Sequence, residues 1–295
     1  MIIFNIVGGL GNQMFQYACG RALSLDLKLP LKFTQDMFEI YKLHYGPELE
    51  RVFSLTVDVA QPYELKKTIG ILRIHPSVRR VLINKHFIPI RGKQLIIEPH
   101  SNYWNKLPDN ARFGGYIQGY WQSELYFIKY ETVIRNDFKF RTQLMGRNAE
   151  IARKILDTQS ISVHIRRGDY VTNLKTLAYH GVCELDYYIN AIESLRSRIP
   201  QASFFVFSDE FEWVTDMLLP RFPDLILVNQ NKNEYSYNDM HLMSLCKHHI
   251  IANSSFSWWG AWLNASPAKI VIAPKQWFSN NNDTHDLLPS SWERL

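Results

Sequence analysis

The chain has 295 residues, 46% of them hydrophobic and 21% charged; this excludes a disordered protein and is long for one core but natural for two domains. Its net charge of +5 suits an anionic substrate or passing contact with anionic lipid, and no Lys/Arg run is dense enough to argue for nucleic acid. Three widely spaced cysteines, Cys19, Cys183 and Cys246, predict a reduced compartment and no zinc site.

Residues 2–7 read as a buried strand, too short and lacking the basic flank of a signal peptide. No stretch reaches the roughly 20 apolar residues of a membrane span, so a soluble, cytoplasmic protein is expected. Gly8-Gly9-Leu10-Gly11-Asn12-Gln13 follows, then a helix over 13–27 with Met14, Phe15, Ala18, Ala22 and Leu25 along one side. Strand, glycine-rich turn and helix open a nucleotide-binding fold. The dinucleotide fingerprint fails, because Met14 stands at the third glycine position and no acidic residue closes the next strand, 29–33. Two readings of the turn stay open. The glycines let a ligand approach the backbone while Asn12 and Gln13 offer amides, or they make a tight turn and nothing more.

Residues 36–110 are the least legible. Apolar runs (Val81-Leu82-Ile83, Leu95-Ile96-Ile97) alternate with Pro and Gly, and Arg73, Arg79, Arg80, Lys85, Arg91 and Lys93 make the segment basic, by default a solvated face. Residues 114–121 read as a strand with an aromatic, glycine-rich end, a wall or a binding platform. From 148 the rhythm is regular: helices over 149–156, 185–197, 210–219, 238–245 and 257–264 alternate with strands over 161–165, 204–207, 225–228, 249–252 and 270–273. Buried strands alternating with helices specify a parallel sheet covered on both faces. Two Rossmann-like domains are expected, 1–145 and 146–295, with the C-terminal tail free to pack back on the first.

In such sheets ligands bind at the carboxyl ends of strands, and there the sequence places its chemistry. His164-Ile165-Arg166-Arg167-Gly168-Asp169-Tyr170 ends one strand, Ser208-Asp209-Glu210 the next, and Asn253-Ser254-Ser255-Phe256-Ser257 opens a helix. Arg is a permanent cation whose planar fork matches phosphate oxygens. Two adjacent Arg need an anion; Asp169 can neutralise one, leaving the other for phosphate. A surface ion pair is the plainer alternative, as capping is for the serines. Asp209 and Asp239 are candidates for purine or ribose contacts, and Asp209 fits an N-cap equally well. Trp258, Trp259 and Trp262, at helical spacing, read as core.

Three motifs in order, at 8–16, 164–170 and 253–260, closely resemble the α-1,2-fucosyltransferases of glycosyltransferase family 11. The resemblance implies an α/β, GT-B-type enzyme whose two Rossmann-like domains face a central cleft. It implies transfer of L-fucose from GDP-fucose to the 2-hydroxyl of a terminal galactose, with inversion and without metal or other cofactor. By position in the related α-1,6- and protein O-fucosyltransferases, Arg166 would hold the β-phosphate, with His164 beside it in the His-x-Arg motif. Ser254, Ser255 and Phe256 would engage the diphosphate region, Asp239 the guanine, and Ser208, Asp209 and Asn253 the nucleotide sugar. Gly11 and Asn12 would face the fucose and the acceptor. No Asp-x-Asp metal motif appears, in keeping with a metal-free reaction.

Charge developing on the β-phosphate as the C1–O bond breaks would be met by Arg166 and helix N–H groups. Asp169, His180, Glu184 and Asn12 are the motif-level candidates for the acceptor's proton, and Asp169 is taken first; a dissociative path with little base assistance is the alternative. A transferase of different linkage or acceptor would keep the same phosphate residues. A non-catalytic nucleotide- or carbohydrate-binding module would lack Arg166 or the Ser254-Ser255 pair, and both are present. The partners expected are GDP-fucose and a galactose-terminated glycan, with peripheral contact to a membrane or a lipid-linked glycan also open.

Overall fold

The structure is a computed structural model. It describes the chain except residues 41–44, 71–74, 83, 85, 88–91, 169–170, 172 and 280–282 and the side chains of 174 and 175. The chain divides into two compact units, 1–142 with 283–287 and 143–282 with 288–295, against an expected division at 145/146.

In the first unit, β1 (Ile2–Asn5), β2 (Leu31–Thr34), β3 (Leu95–Ile97) and β4 (Gly115–Gln118) form an all-parallel sheet in the order β2-β1-β4-β3. The chain steps outward from β1 to β2 and then fills the opposite flank, so its winding reverses between β1 and β4. Helix α1 (Leu10–Leu27) begins three residues before the expected Gln13. Gly9 is its N-cap, and the Gly9 carbonyl accepts from the N–H groups of Asn12 (2.9 Å) and Gln13 (3.1 Å). At the far end Lys28, in the left-handed region at φ 54°, donates its N–H to Ser24 O. That cap takes up Leu29 and Pro30, which is why β2 starts at Leu31 and not at 29.

Much of α1 is buried on every side, including two amides. Gln13 Nε2 donates to Gly8 O (2.8 Å) and Gly46 O (2.9 Å), and its Oε1 accepts from the Glu48 N–H (2.9 Å). Gln16 Oε1 accepts from the Val7 N–H (2.9 Å), and its Nε2 donates to Gly119 O (3.1 Å). Buried amides are tolerated when every strong donor finds an acceptor. The basic segment departs from expectation. Val81 and Leu82 end a helix, Pro76–Leu82, and Arg79 is fully buried, paired with Asp36 and 4.9 Å from the centre of the Tyr116 ring. A guanidinium inside a core persists only when so compensated. Residues 73, 83, 85 and 91 of that segment lie outside the described residues.

In the second unit, β5 (Gln159–Ile165), β6 (Ala202–Ser208), β7 (Ile226–Val228), β8 (His248–Ile250), β9 (Val271–Ala273) and β10 (Glu293–Arg294) form a parallel sheet, β10-β9-β8-β5-β6-β7. Winding runs one way through β5, β6 and β7 and the other way through β8, β9 and β10, reversing between β5 and β8. Ile161, Val163 and Ile165 of β5 and Phe204 and Val206 of β6 pack against Ile192 and Leu195 of the helix Leu185–Arg198. The helix expected at 210–219 is a short turn, Phe211–Trp213, continued by a π-turn, Val214–Leu218. Helix α2 (Ser255–Leu263) starts two residues early because Ser254 caps it. Trp258, Trp259 and Trp262 are buried and pack on one another and on Trp292, as core residues do. No helix among the described residues is long and apolar enough to cross a membrane.

Candidate functional site

The reversal between β5 and β8 is where an open α/β sheet leaves a crevice at its carboxyl end, and the polar side chains gather there. His164, one residue from the end of β5, is buried and its ring lies 5.6 Å from the Phe256 ring at the start of α2. The two motifs therefore meet across the reversal. Burial pushes His164 down to about 4, with Arg166 acting the same way and Asp209 opposing. Its imidazole is neutral at physiological pH, and Nδ1 is buried with no hydrogen-bond partner in the structure. Arg166 follows β5, and its Nη1 meets Asp209 Oδ2 at 2.8 Å with 29% of its side chain exposed.

Among the described residues, the loop after β6 supplies counter-charges to the arginine pair. Asp209 Oδ1 accepts from the Arg167 N–H (2.9 Å), so one carboxylate holds both the backbone of the loop and the Arg166 head. Arg167 Nε donates to Glu210 Oε2 (3.1 Å), and its guanidinium lies 4.5 Å from the centre of the Trp213 ring. The expectation that Asp169 neutralises one Arg falls on a residue outside the described ones; among the described residues, Asp209 pairs with Arg166 and Glu210 with Arg167. The N-cap reading of Asp209 is displaced: Ser208 Oγ accepts from the Glu210 N–H (3.0 Å) and makes that turn instead. Gly168 is needed for space, since a Cβ there would stand 2.7 Å from Asp209 Oδ2.

At the start of α2, Ser254 Oγ accepts from the Phe256 N–H (3.3 Å), so the capping role is real, and it leaves a helix N-terminus beside His164. Ser255 is its first residue, half-buried. Asn253, expected among the nucleotide-sugar contacts, has both ends of its amide engaged by neighbouring loops. Its Nδ2 donates to His180 O (2.9 Å) and Trp277 O (3.2 Å), and its Oδ1 accepts from Cys183 Sγ (3.6 Å), so the amide ties loops together. The His180 ring packs against Tyr179 and Phe278.

Asp239 sits apart from the arginines, on the helix Tyr237–Leu245, and burial raises its carboxyl to about 7 against the lowering effect of Asn231. Asn231 Nδ2 donates to Asp239 Oδ1 (2.7 Å) and to Asn148 Oδ1 (3.0 Å), and Gln230 Nε2 donates to the same Asn148 oxygen (2.5 Å). Sequence reasoning missed Asn148, Gln230 and Asn231. The signal was present in Asn229-Gln230-Asn231, a polar run directly after β7.

In the first unit the reversal between β1 and β4 carries amides. Gly8 has φ +89°, a backbone that an L side chain rarely adopts, so the tight-turn reading holds for this glycine. Gly11 is buried in the first turn of α1, and Asn12 beside it is half-buried. Asn12 Oδ1 accepts from Gln122 Nε2 of the loop after β4 (2.7 Å). Gln13, expected to offer its amide, is occupied by the backbone around it. Gln122 and Glu98 were missed, although each follows a strand closely enough to be found by the rule that found Arg166.

A parallel sheet that holds an arginine, a neutral histidine and a helix N-terminus at its winding reversal defines a nucleotide-sugar glycosyltransferase site when set beside known proteins. The chain belongs to glycosyl transferase family 11, whose model matches residues 1–293. It is 36% identical over 301 residues to an α-1,2-colitosyltransferase of Escherichia coli, covering 100% of this chain and 99% of that one. It is 33% identical to the O-antigen biosynthesis glycosyltransferase WbnK of Escherichia coli, covering 98% of each. Among solved structures, the fucosyltransferase NodZ from Bradyrhizobium matches with a TM-score of 0.54 at 15% identity, covering 88% of this chain and 91% of that one. At that identity the likeness speaks for the GT-B-type fold.

Proposed function

We propose that the protein is a galactoside α-1,2-fucosyltransferase that moves L-fucose from GDP-fucose to the 2-hydroxyl of a terminal galactose, inverting the anomeric centre without a metal. The observation that carries this reading is the meeting of Arg166 and Asp209 with His164, Phe256 and the Ser254 cap at one winding reversal. In the reaction the galactose oxygen bonds to C1 of fucose and the C1–O bond to the β-phosphate breaks, the electron pair leaving on GDP. Arg166 meets the growing phosphate charge with its fork already oriented by Asp209. Each charge-assisted hydrogen bond contributes about 1.5–3 kcal/mol, enough for a tenfold or larger effect on rate. Neutral His164 serves the same phosphate region by hydrogen bond and not by charge. Asp239, with Gln230 and Asn231 around it, takes the guanine edge. Asp169, which follows Gly168 in the sequence, is assigned the acceptor's proton.

The E. coli relative favours a second donor, an activated colitose, the 3-deoxy analogue of fucose. Both donors would present the same phosphates and differ at one hydroxyl. The test is a donor-by-acceptor panel: GDP-fucose and GDP-colitose, each with galactose-terminated oligosaccharides, read by mass spectrometry with the linkage set by NMR. Fucosyl product at O2 of galactose supports the proposal. Transfer from GDP-colitose alone moves the assignment to the second reading, and product at another position removes the α-1,2 claim.

A further inference from the structure

Glu98 follows β3 directly, at the carboxyl end of the first unit's sheet, and donor chemistry gives it no role. Its carboxylate lies against the loop after β4. Oε2 accepts from the Tyr120 N–H (2.7 Å), Oε1 from the Trp121 N–H (2.9 Å), and the Glu98 N–H donates to Gln118 O (2.9 Å). Gly119 is fixed by the same contact, since a Cβ there would stand 2.4 Å from Glu98 Cβ and 2.7 Å from Oε2.

The turn held in this way is a strained one. Trp121 has φ +56°, a left-handed conformation that a bulky residue keeps only when its surroundings impose it. Its buried ring is wedged edge-on to Phe4 (6.1 Å) and Tyr126 (5.5 Å). The next residue, Gln122, donates to Asn12 Oδ1, and Gln16 of α1 holds Gly119 O from the other side. Glu98, the strained turn and the Asn12–Gln122 amide pair thus form one connected piece, set at the reversal between β1 and β4.

We infer that Glu98 is a positioning residue for acceptor recognition: as a carboxylate it fixes the left-handed turn at Trp121 and so presents Gln122 to Asn12 as an amide pair for the hydroxyls of the acceptor sugar. This rests on the proposed reading in which Asn12 faces fucose and acceptor. Amides suit that task because each offers a donor and an acceptor to a diol without introducing charge. A carboxylate receives both N–H groups, whereas a carboxylic acid sets its own O–H against one of them. Burial pushes Glu98 up to about 7, while the Tyr120 and Trp121 N–H groups pull it down. Cys19 of α1 and Tyr126, the titratable groups that interact with it, are both raised by burial and neutral across this range. The carboxyl is the group that changes state near neutrality, and the turn slackens below it.

The experiment is steady-state kinetics of the full chain from pH 6 to 8 with GDP-fucose and lactose as varied substrates, for wild type, Glu98→Gln, Gln122→Ala and Asn12→Ala. The wild-type KM for lactose rises roughly tenfold as pH falls below 7, the loss of one good hydrogen bond, while the KM for GDP-fucose holds. Glu98→Gln shows the raised lactose KM at every pH, and Gln122→Ala reproduces it. A normal lactose KM and a normal pH profile in Glu98→Gln, with Gln122→Ala impaired, would overturn the role of Glu98 and leave the acceptor reading intact. Unchanged lactose KM in both Gln122→Ala and Asn12→Ala sinks the acceptor reading and this inference with it. Should Glu98→Gln not fold, a wild-type lactose KM that is flat with pH decides against the proposal.

Discussion

The two sheets answer the same topological question in different chemistry. Each reverses its winding once, between β5 and β8 in one unit and between β1 and β4 in the other, and each gathers polar side chains at that point. In the second unit these are Arg166, Asp209 and a helix start, a set that answers charge. In the first they are Asn12 and Gln122, neutral amides hydrogen-bonded to each other. Glu98, half-buried at the end of β3, holds the backbone of Tyr120 and Trp121. On the proposed function, the Arg166 set meets the leaving diphosphate and the amide pair an uncharged sugar.

The comparison breaks most visibly at the arginines. Lys keeps the charge of Arg166 but loses its fork, so Arg166→Lys should lower kcat about thirtyfold, equivalent to roughly 2 kcal/mol of transition-state binding. Arg167, fixed by Glu210 and stacked on Trp213, should show its loss in melting temperature, with turnover largely kept. Turnover and melting curves of both variants check this; a folded, inactive Arg167→Lys beside a working Arg166→Lys would reverse the assignment.

A smaller effect separates base recognition from phosphate recognition. On the proposed function Asp239 must be ionised to accept the guanine N–H groups, and burial raises it to about 7. Guanosine, which carries no phosphate to confuse the titration, should bind about tenfold more weakly at pH 6 than at pH 8. Asp239→Asn should remove that dependence. The same shift makes a stability prediction of opposite sign. A carboxyl raised by folding stabilises fully below its unfolded value of 3.8, and the benefit is lost as pH rises through 7. At pH 8, therefore, Asp239→Asn should melt higher than wild type while binding guanosine worse. Calorimetry showing a lower melting point at pH 8 would contradict the burial argument. The smallest expected effect is none at all: transfer from GDP-fucose should proceed in EDTA at the same rate, and activity restored only by Mn²⁺ or Mg²⁺ would show that Arg166 and the α2 start do not suffice.

Much of the second unit was legible because its strands are buried runs with polar residues directly after them; His164, Arg166 and Ser254 could be placed by that rule. What the sequence hid were partners. Nothing in Asp209 or Glu210 announces that they face Arg166 and Arg167, because the pairing crosses from β5 to β6 and depends on the parallel register. Asn253 looks identical to a ligand-binding amide in sequence, and only three-dimensional contacts reveal that it ties loops. Arg79 was read as solvated because isolated basic residues usually are, and its burial depends on Asp36 and Tyr116 far away in the chain. Gln122 and Glu98 directly follow the runs at 114–121 and 95–97, and their pairing with Asn12 and with the Tyr120–Trp121 backbone is what the sequence could not show.

One feature of the chain path bears on how the protein is made. Residues 283–287 belong to the first unit, although everything from 143 to 282 and from 288 to 295 belongs to the second. Within that short return, Asp286 O accepts from Ser123 Oγ (2.6 Å), Asp286 Oδ2 accepts from the Tyr103 N–H (3.3 Å), and Leu287 is buried. Synthesis runs from the N-terminus, so the first unit closes its Tyr103–Ser123 side only after residues 143–282 of the second have been made. A stop codon at position 283 would therefore damage the half of the protein that was translated first.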